Sequence, residues 1–131
     1  GAVSAATLNW CYGVAFVGDR LVVADTGNRR VLIWNRLPEE SGQPADIVLG
    51  QKSFHCRDEN AGESAGAFGM RWPHAIAAHG DTLLVTDAGN NRVMAWTGIP
   101  DTAGVACTFV LGQRSFSEID HNRGRYLPDA H

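Results

Sequence analysis
Histidines, cysteines and clustered acids are the residues of this chain whose types could do chemistry. The histidines are His55, His74, His79, His121 and His131, and no two stand at helical or zinc-finger spacing, so no local zinc motif is written in the chain. His74, in "RWPHAIA" (71–77), precedes an apolar run and is the one candidate metal ligand. Loops 58–62 ("DENAG") and 120–124 ("DHNRG") share D-x-N-x-G, the opening of a calcium loop with oxygen donors at alternate positions. The twelfth position, where such a loop needs a glutamate, is Gly69 in one case and His131 in the other. A repeated turn is the plainer account, with Asp58 and Asn60 shaping it. No cofactor is expected; zinc at His74 and calcium at Asp58 and Asn60 are the metals to test. Cys11, Cys56 and Cys107 have no CxxC spacing and no base beside them in sequence, which fits small buried apolar side chains better than nucleophiles.

The remaining acidic cluster lies in "VADTGNRRVLIW" (23–34), where an acid, a glycine, an asparagine and an arginine sit between two apolar runs. A phosphate cradle needs a helix after the glycine, and a β-rich run follows instead. The cluster also occurs twice: "VTDAGNNRVMAW" stands at 85–96. Shifting the sequence by 62 positions gives 24 identities over 69 without a gap. A unique active site is rarely duplicated, whereas a structural unit often is. The repeats run over about 4–62 and 66–124, and the tail 125–131 begins the approach to a third.

Within each unit the apolar runs are short and rich in Val, Ile, Leu and Trp. The first has 13–17, 20–25, 30–34 and 46–50, and the second has 75–78, 82–87, 92–96 and 107–112. No stretch keeps a helical period over a dozen residues. Gly-Asp pairs at 18–19 and 80–81 mark tight hairpins. Four sequential antiparallel strands make a meander, and "LVVAD" is apolar on both faces, so meanders must stack face to face, as propeller blades do.

The formal charge of −3 and the scattered arginines argue against a nucleic-acid partner, which wants a basic stripe. With 44% hydrophobic residues and 15 glycines, the composition is that of a folded, turn-rich protein. No apolar run is long enough to span a membrane, and "GAVSAATLNW" lacks the features of a secretory leader. Three cysteines leave at least one unpaired within the chain, which favours a reducing, cytoplasmic setting.

The segments "LVVADTGNRRVLIW" and "LLVTDAGNNRVMAW", each preceded by W-x-x-[GA]-[VI]-A, resemble NHL repeats, and the resemblance covers both units. It implies an all-β fold of two four-stranded antiparallel blades, a partial β-propeller over 1–131, with the ring completed by self-association or by further parent sequence. Three copies, each contributing two blades, would close a six-bladed ring. The resemblance places Asp25 and Asp87 at the ends of second strands. There each carboxylate would accept turn N–H groups or pair with Arg30 or Arg92, while Gly27, Gly89, Asn28 and Asn90 tolerate turn backbone. Trp34 and Trp96 would cover packing between blades. Trp10, Tyr12, Trp72 and His74 would stand at the tunnel mouth, with Asp58 and Asn60 in the blade crossing completing a binding face.

NHL propellers commonly present loops on one face to protein or nucleic-acid partners, so the expected function is an interaction module, either a protein scaffold or a ligand-binding face formed by the blade-crossing loops, in preference to an enzyme. The alternative is a metal-dependent enzyme, since "PHAIA" is similar to blade starts of peptidylglycine alpha-amidating lyase, where histidines bind zinc. The first repeat has Tyr12 in place of that histidine. RNA binding, as in tripartite-motif NHL proteins, is disfavoured by the charge.

Overall fold
A computed structural model of the chain describes residues 1–124; the expected approach to a third unit, at 125–131, lies outside the described residues. Among the described residues, eight strands form two four-stranded antiparallel sheets in sequential order. The first sheet contains β1 (Cys11–Val17), β2 (Arg20–Asp25), β3 (Arg30–Trp34) and β4 (Ile47–Leu49). The second contains β5 (Pro73–His79), β6 (Thr82–Asp87), β7 (Arg92–Trp96) and β8 (Phe109–Leu111). Gly18 and Gly80, at φ +60° and +57°, make the hairpin turns between the first two strands of each sheet. Short 3₁₀ turns, Thr26–Asn28 and Ala88–Asn90, join the second strand to the third. Among the described residues no helix is long and apolar enough to cross a membrane.

The first strand of each sheet starts two residues earlier than the apolar runs indicate. Cys11 and Pro73 pair with Asp25 and Asp87 across an irregularity in register, which carries the strand past the end of its apolar stretch. Pro73 is tolerated because it is the first residue of an edge strand, where a missing N–H costs no ladder bond.

Alternation along the strands gives each sheet two apolar faces. Val22, Ile33 and Ile47 are cross-strand partners on one face of the first sheet, joined there by Val17, Val31 and Leu49. They pack in one core with Leu83, Val85, Met94 and Trp96 of the second sheet, and with Met70 and Cys107. The repeat equivalents of those second-sheet residues are Leu21, Val23, Leu32 and Trp34, which lie on the opposite face of the first sheet. The sheets therefore stack front to back, and one face of each kind is left outward.

The two outward faces are not equally bare. Behind the first sheet, Val23, Leu32, Trp34 and Val48 form a second buried cluster with Phe54 packed on it. The N-terminal segment is tied alongside, with Ala45 N–H donating to the Ala5 carbonyl at 2.7 Å. Val14 and Phe16 of β1 stand exposed on that side. The outward face of the second sheet is open: Ala75, Ala77, Leu84 and Val93 line a shallow apolar hollow of about 170 Å³, with Phe109 and Leu111 exposed in the edge strand.

Candidate functional site
The duplicated Asp–Gly–Asn–Arg cluster forms a buried clamp, built the same way in both units. Asp25 Oδ2 accepts from Asn28 Nδ2 at 2.9 Å and from Arg30 Nε at 2.8 Å, while its Oδ1 accepts from Asn9 N–H at 2.7 Å. Asp87 repeats this with Asn90 Nδ2 at 2.8 Å, Arg92 Nε at 3.0 Å and the N–H groups of Arg71 and Trp72 at 2.9 and 3.2 Å. Both ion pairs are fully shielded from solvent.

Each guanidinium then reaches outward to backbone. Arg30 donates to the carbonyls of Phe54, Ser4 and Thr7, and Arg92 to those of Phe116 and Gly69. The acid fixes the arginine, and the arginine fixes the connecting segments. Every lone pair and donor used here serves the fold, while Asn90 Oδ1 is buried without a hydrogen-bond partner among the described residues. Gly27 lets the preceding segment close in, because a Cβ there would lie 2.6 Å from the Asn9 carbonyl oxygen. A Cβ on Gly89 would likewise meet the Arg71 side chain at 2.6 Å.

The D-x-N-x-G loops are held in the same manner. Gln51 Nε2 donates to the Asp58 carbonyl at 2.7 Å, and Asn60 Oδ1 accepts from Asn90 Nδ2 at 2.7 Å. Gln113 repeats the first contact with the Asp120 carbonyl at 3.0 Å. Asn60 thus takes part in the support of the turn. Among the described residues no group of three or more His, Cys, Asp or Glu side chains comes together as a metal site.

His74 lies against Tyr12, its repeat equivalent, with ring centroids 4.6 Å apart and planes 23° from parallel. The two are stacked because each stands second in the first strand of its sheet, and those strands meet at the seam between sheets. Tyr12 is 65% exposed, so one side of the stack faces solvent.

The four tryptophans separate into two kinds. Trp34 and Trp96 are buried, and their indole N–H groups donate to the carbonyls of Gln43 and Val105 at 3.0 and 2.9 Å. Trp10 is 77% exposed and Trp72 47%. These two line one cleft of about 220 Å³ with Asn9, Thr26, Gly27 and Arg29. Arg71 stacks over Trp72, its Cζ 5.2 Å from the ring centroid, and is held there by Glu59 Oε1 at 2.9 Å. Arg29 is absent from the residues that sequence reasoning singles out. Its signal was the mismatch at that place in the repeat, where the second unit has Asn91.

All three cysteines are free. Burial pushes the Cys107 thiol above its ordinary value, against the opposing pull of the Arg92 charge and of backbone hydrogen bonds. Because the folded thiol holds its proton more tightly than the unfolded one, its contribution to stability is complete below the ordinary thiol range. It is lost as pH rises through the raised value. Maleimide at neutral pH should label exposed Cys11 first and reach Cys107 only after unfolding; peptide mass mapping reads the order, and early labelling of Cys107 would contradict its burial.

Comparison with protein-family models and with curated proteins returns no match for this chain.

Proposed function
We propose that the chain is a pair of NHL-like propeller blades that acts as a protein-interaction module, with the aromatic surface of Trp10, Tyr12, Trp72 and His74 as its contact face. The observation that carries this reading is the division of the tryptophans. Both repeats place one indole in the core and leave the other in solvent at the same end of the stack. Indoles left in solvent add little to the fold, whereas tryptophan, tyrosine and arginine are the residues that dominate binding energy at interfaces.

Front-to-back stacking of the two sheets supports the propeller assignment, since a blade must offer one face to the unit before it and the other to the unit after it. The bare face of the second sheet and the exposed Val14 and Phe16 are the places where such units would join, supplied by further copies or by a longer parent chain. Where further copies supply them, light scattering on this chain should give a mass that is a multiple of one copy, with three copies completing six blades.

The contact face is tested separately. An extract passed over immobilised chain should yield a reproducible set of captured proteins, lost with a Trp10→Ala and Trp72→Ala double variant whose melting is unchanged. Equal capture by the variant would remove the aromatic surface from the function.

A further inference from the structure
We infer that the cleft between Trp10 and Trp72 is a docking site for a peptide segment that presents an apolar ring side chain next to a carboxylate. This rests on the reading of the chain as an interaction module and gives that module its partner chemistry. Three observations converge on the cleft.

The first is backbone strain without a core reason for it. Trp10 sits at φ +51°, in the left-handed region that costs a bulky residue energy and is taken most readily by glycine or asparagine. A side chain needed for packing would justify that cost, yet this one is 77% exposed. Strained residues of this kind gather at ligand sites, where the surrounding structure holds them in place.

The second is the size and walls of the cleft. At about 220 Å³ it falls below the roughly 300–1,000 Å³ of sites that enclose whole small molecules. It has room for one ring. Because Arg71 already covers one side of Trp72, only the other side of that indole is free to receive the ring.

The third is charge. Arg29 lines the cleft and, among the described residues, forms no ion pair. Its guanidinium makes one hydrogen bond, from Nη1 to the Arg57 carbonyl at 3.1 Å, and its Nε is buried without a partner among those residues. Asp25, the acid nearest to it in sequence, is spent on Arg30. The wall of the cleft therefore includes an arginine with no acid partner beside two indoles. A cationic ligand, which paired indoles would otherwise attract, is repelled, and a carboxylate is drawn to the planar donor fork.

The probes are three short peptides: N-acetyl-Phe-Asp-Asp-amide, the same peptide with lysines for aspartates, and the same peptide with alanine for phenylalanine. Indole N–H resonances are followed in ¹⁵N-labelled protein. The fold supplies its own controls, since the indoles of Trp34 and Trp96 are engaged with Gln43 and Val105. The Phe-Asp-Asp peptide should shift Trp10 and Trp72 in a saturable way and leave the other two in place. The lysine and alanine peptides should bind at least about tenfold more weakly, as loss of one charge-assisted contact or of the stacked ring requires.

Arg29→Asn should also weaken the first peptide about tenfold. That variant is compatible with the fold because the second repeat carries Asn91 at the same conformation, φ +54°. Trp10→Gly should relieve the backbone, keep or raise the melting temperature, and abolish the shifts. Motion of all four indoles together, equal binding of the lysine peptide, or no shift at millimolar peptide would each overturn the proposal. Capture of proteins that depends on Trp10 and Trp72, together with no response to the acidic peptide, would leave the module standing and remove this partner chemistry.

Discussion
Asp87→Ala should cost about 3–5 kcal/mol of folding stability, because it strands the Arg92 guanidinium in a place closed to water. The carboxylate takes four hydrogen bonds, from Asn90, Arg92 and two backbone N–H groups, and all four donors lose their acceptor at once. For a domain whose total stability is of the order of 5–15 kcal/mol, that is a large share. Asp87→Asn keeps the shape and one acceptor oxygen, so its cost should be smaller, about 1–2 kcal/mol. A double variant, Asp87→Ala with Arg92→Met, should recover part of the loss by removing the unpaired charge along with its partner. Urea unfolding, read as a shift of midpoint at constant slope, gives these values. Equal midpoints for wild type and Asp87→Ala would show that the pair does not hold the fold.

Loss of the pair should also spread. Arg92 ties Gly69 and Phe116 to the sheet, so amide exchange around both residues should quicken in Arg92→Met more than in β6 itself.

The duplicated cluster explains why much of this architecture was legible in the sequence. Asp25 and Asp87, with Asn28, Asn90, Arg30 and Arg92, are identical in type and spacing, and their bonds within the cluster span five residues or fewer. Local chemistry of that kind is encoded by the stretch that contains it. The far ends of the same network are not. Nothing in the spacing says that Arg30 will seek the carbonyls of Ser4 and Thr7, because any backbone carbonyl is an equal partner until the fold chooses one.

The tryptophans show a second limit. Trp10 and Trp34 both recur 62 positions on, and recurrence alone marks both as structural. What separates them is the end of the strand on which each sits: Trp34 closes β3 over the packed faces, and Trp10 stands just before β1 begins. A repeat identifies positions that matter to every unit, and it is silent on whether they matter to packing or to a surface.

The places where the repeats disagree carry the remaining information, and they lead to the second large effect. Gly13→Val should destabilise the chain by about 3 kcal/mol, although valine is a better strand residue than glycine and the Gly13 backbone is not in the left-handed region. The reason lies across the seam between sheets. A Cβ at Gly13 would run into the His74 carbonyl oxygen and approach Ala75 Cα to 3.2 Å, so β1 and β5 can lie this close only if residue 13 has no side chain. Next to this contact the Thr26 hydroxyl donates to the Pro73 carbonyl, a second bond between the sheets. The second repeat has Ala75 where the first has Gly13, and Ala88 where it has Thr26. Both departures fall on the face that meets the other sheet in the first unit and lies open in the second. A unit joining that open face therefore cannot approach as closely as the two sheets here approach each other. A ring built from copies of this chain would alternate tight and wider seams. Ala75→Gly, which removes a side chain on the open face, should cost no more than about 1 kcal/mol, and the contrast between the two positions isolates the seam from strand propensity. Thermal melts of Gly13→Val, Gly13→Ala and Ala75→Gly measure it: the order of loss should be Gly13→Val, then Gly13→Ala, then Ala75→Gly. A Gly13→Val protein that melts with the wild type would mean that the sheets do not meet at residue 13, and the front-to-back packing would have to be redrawn.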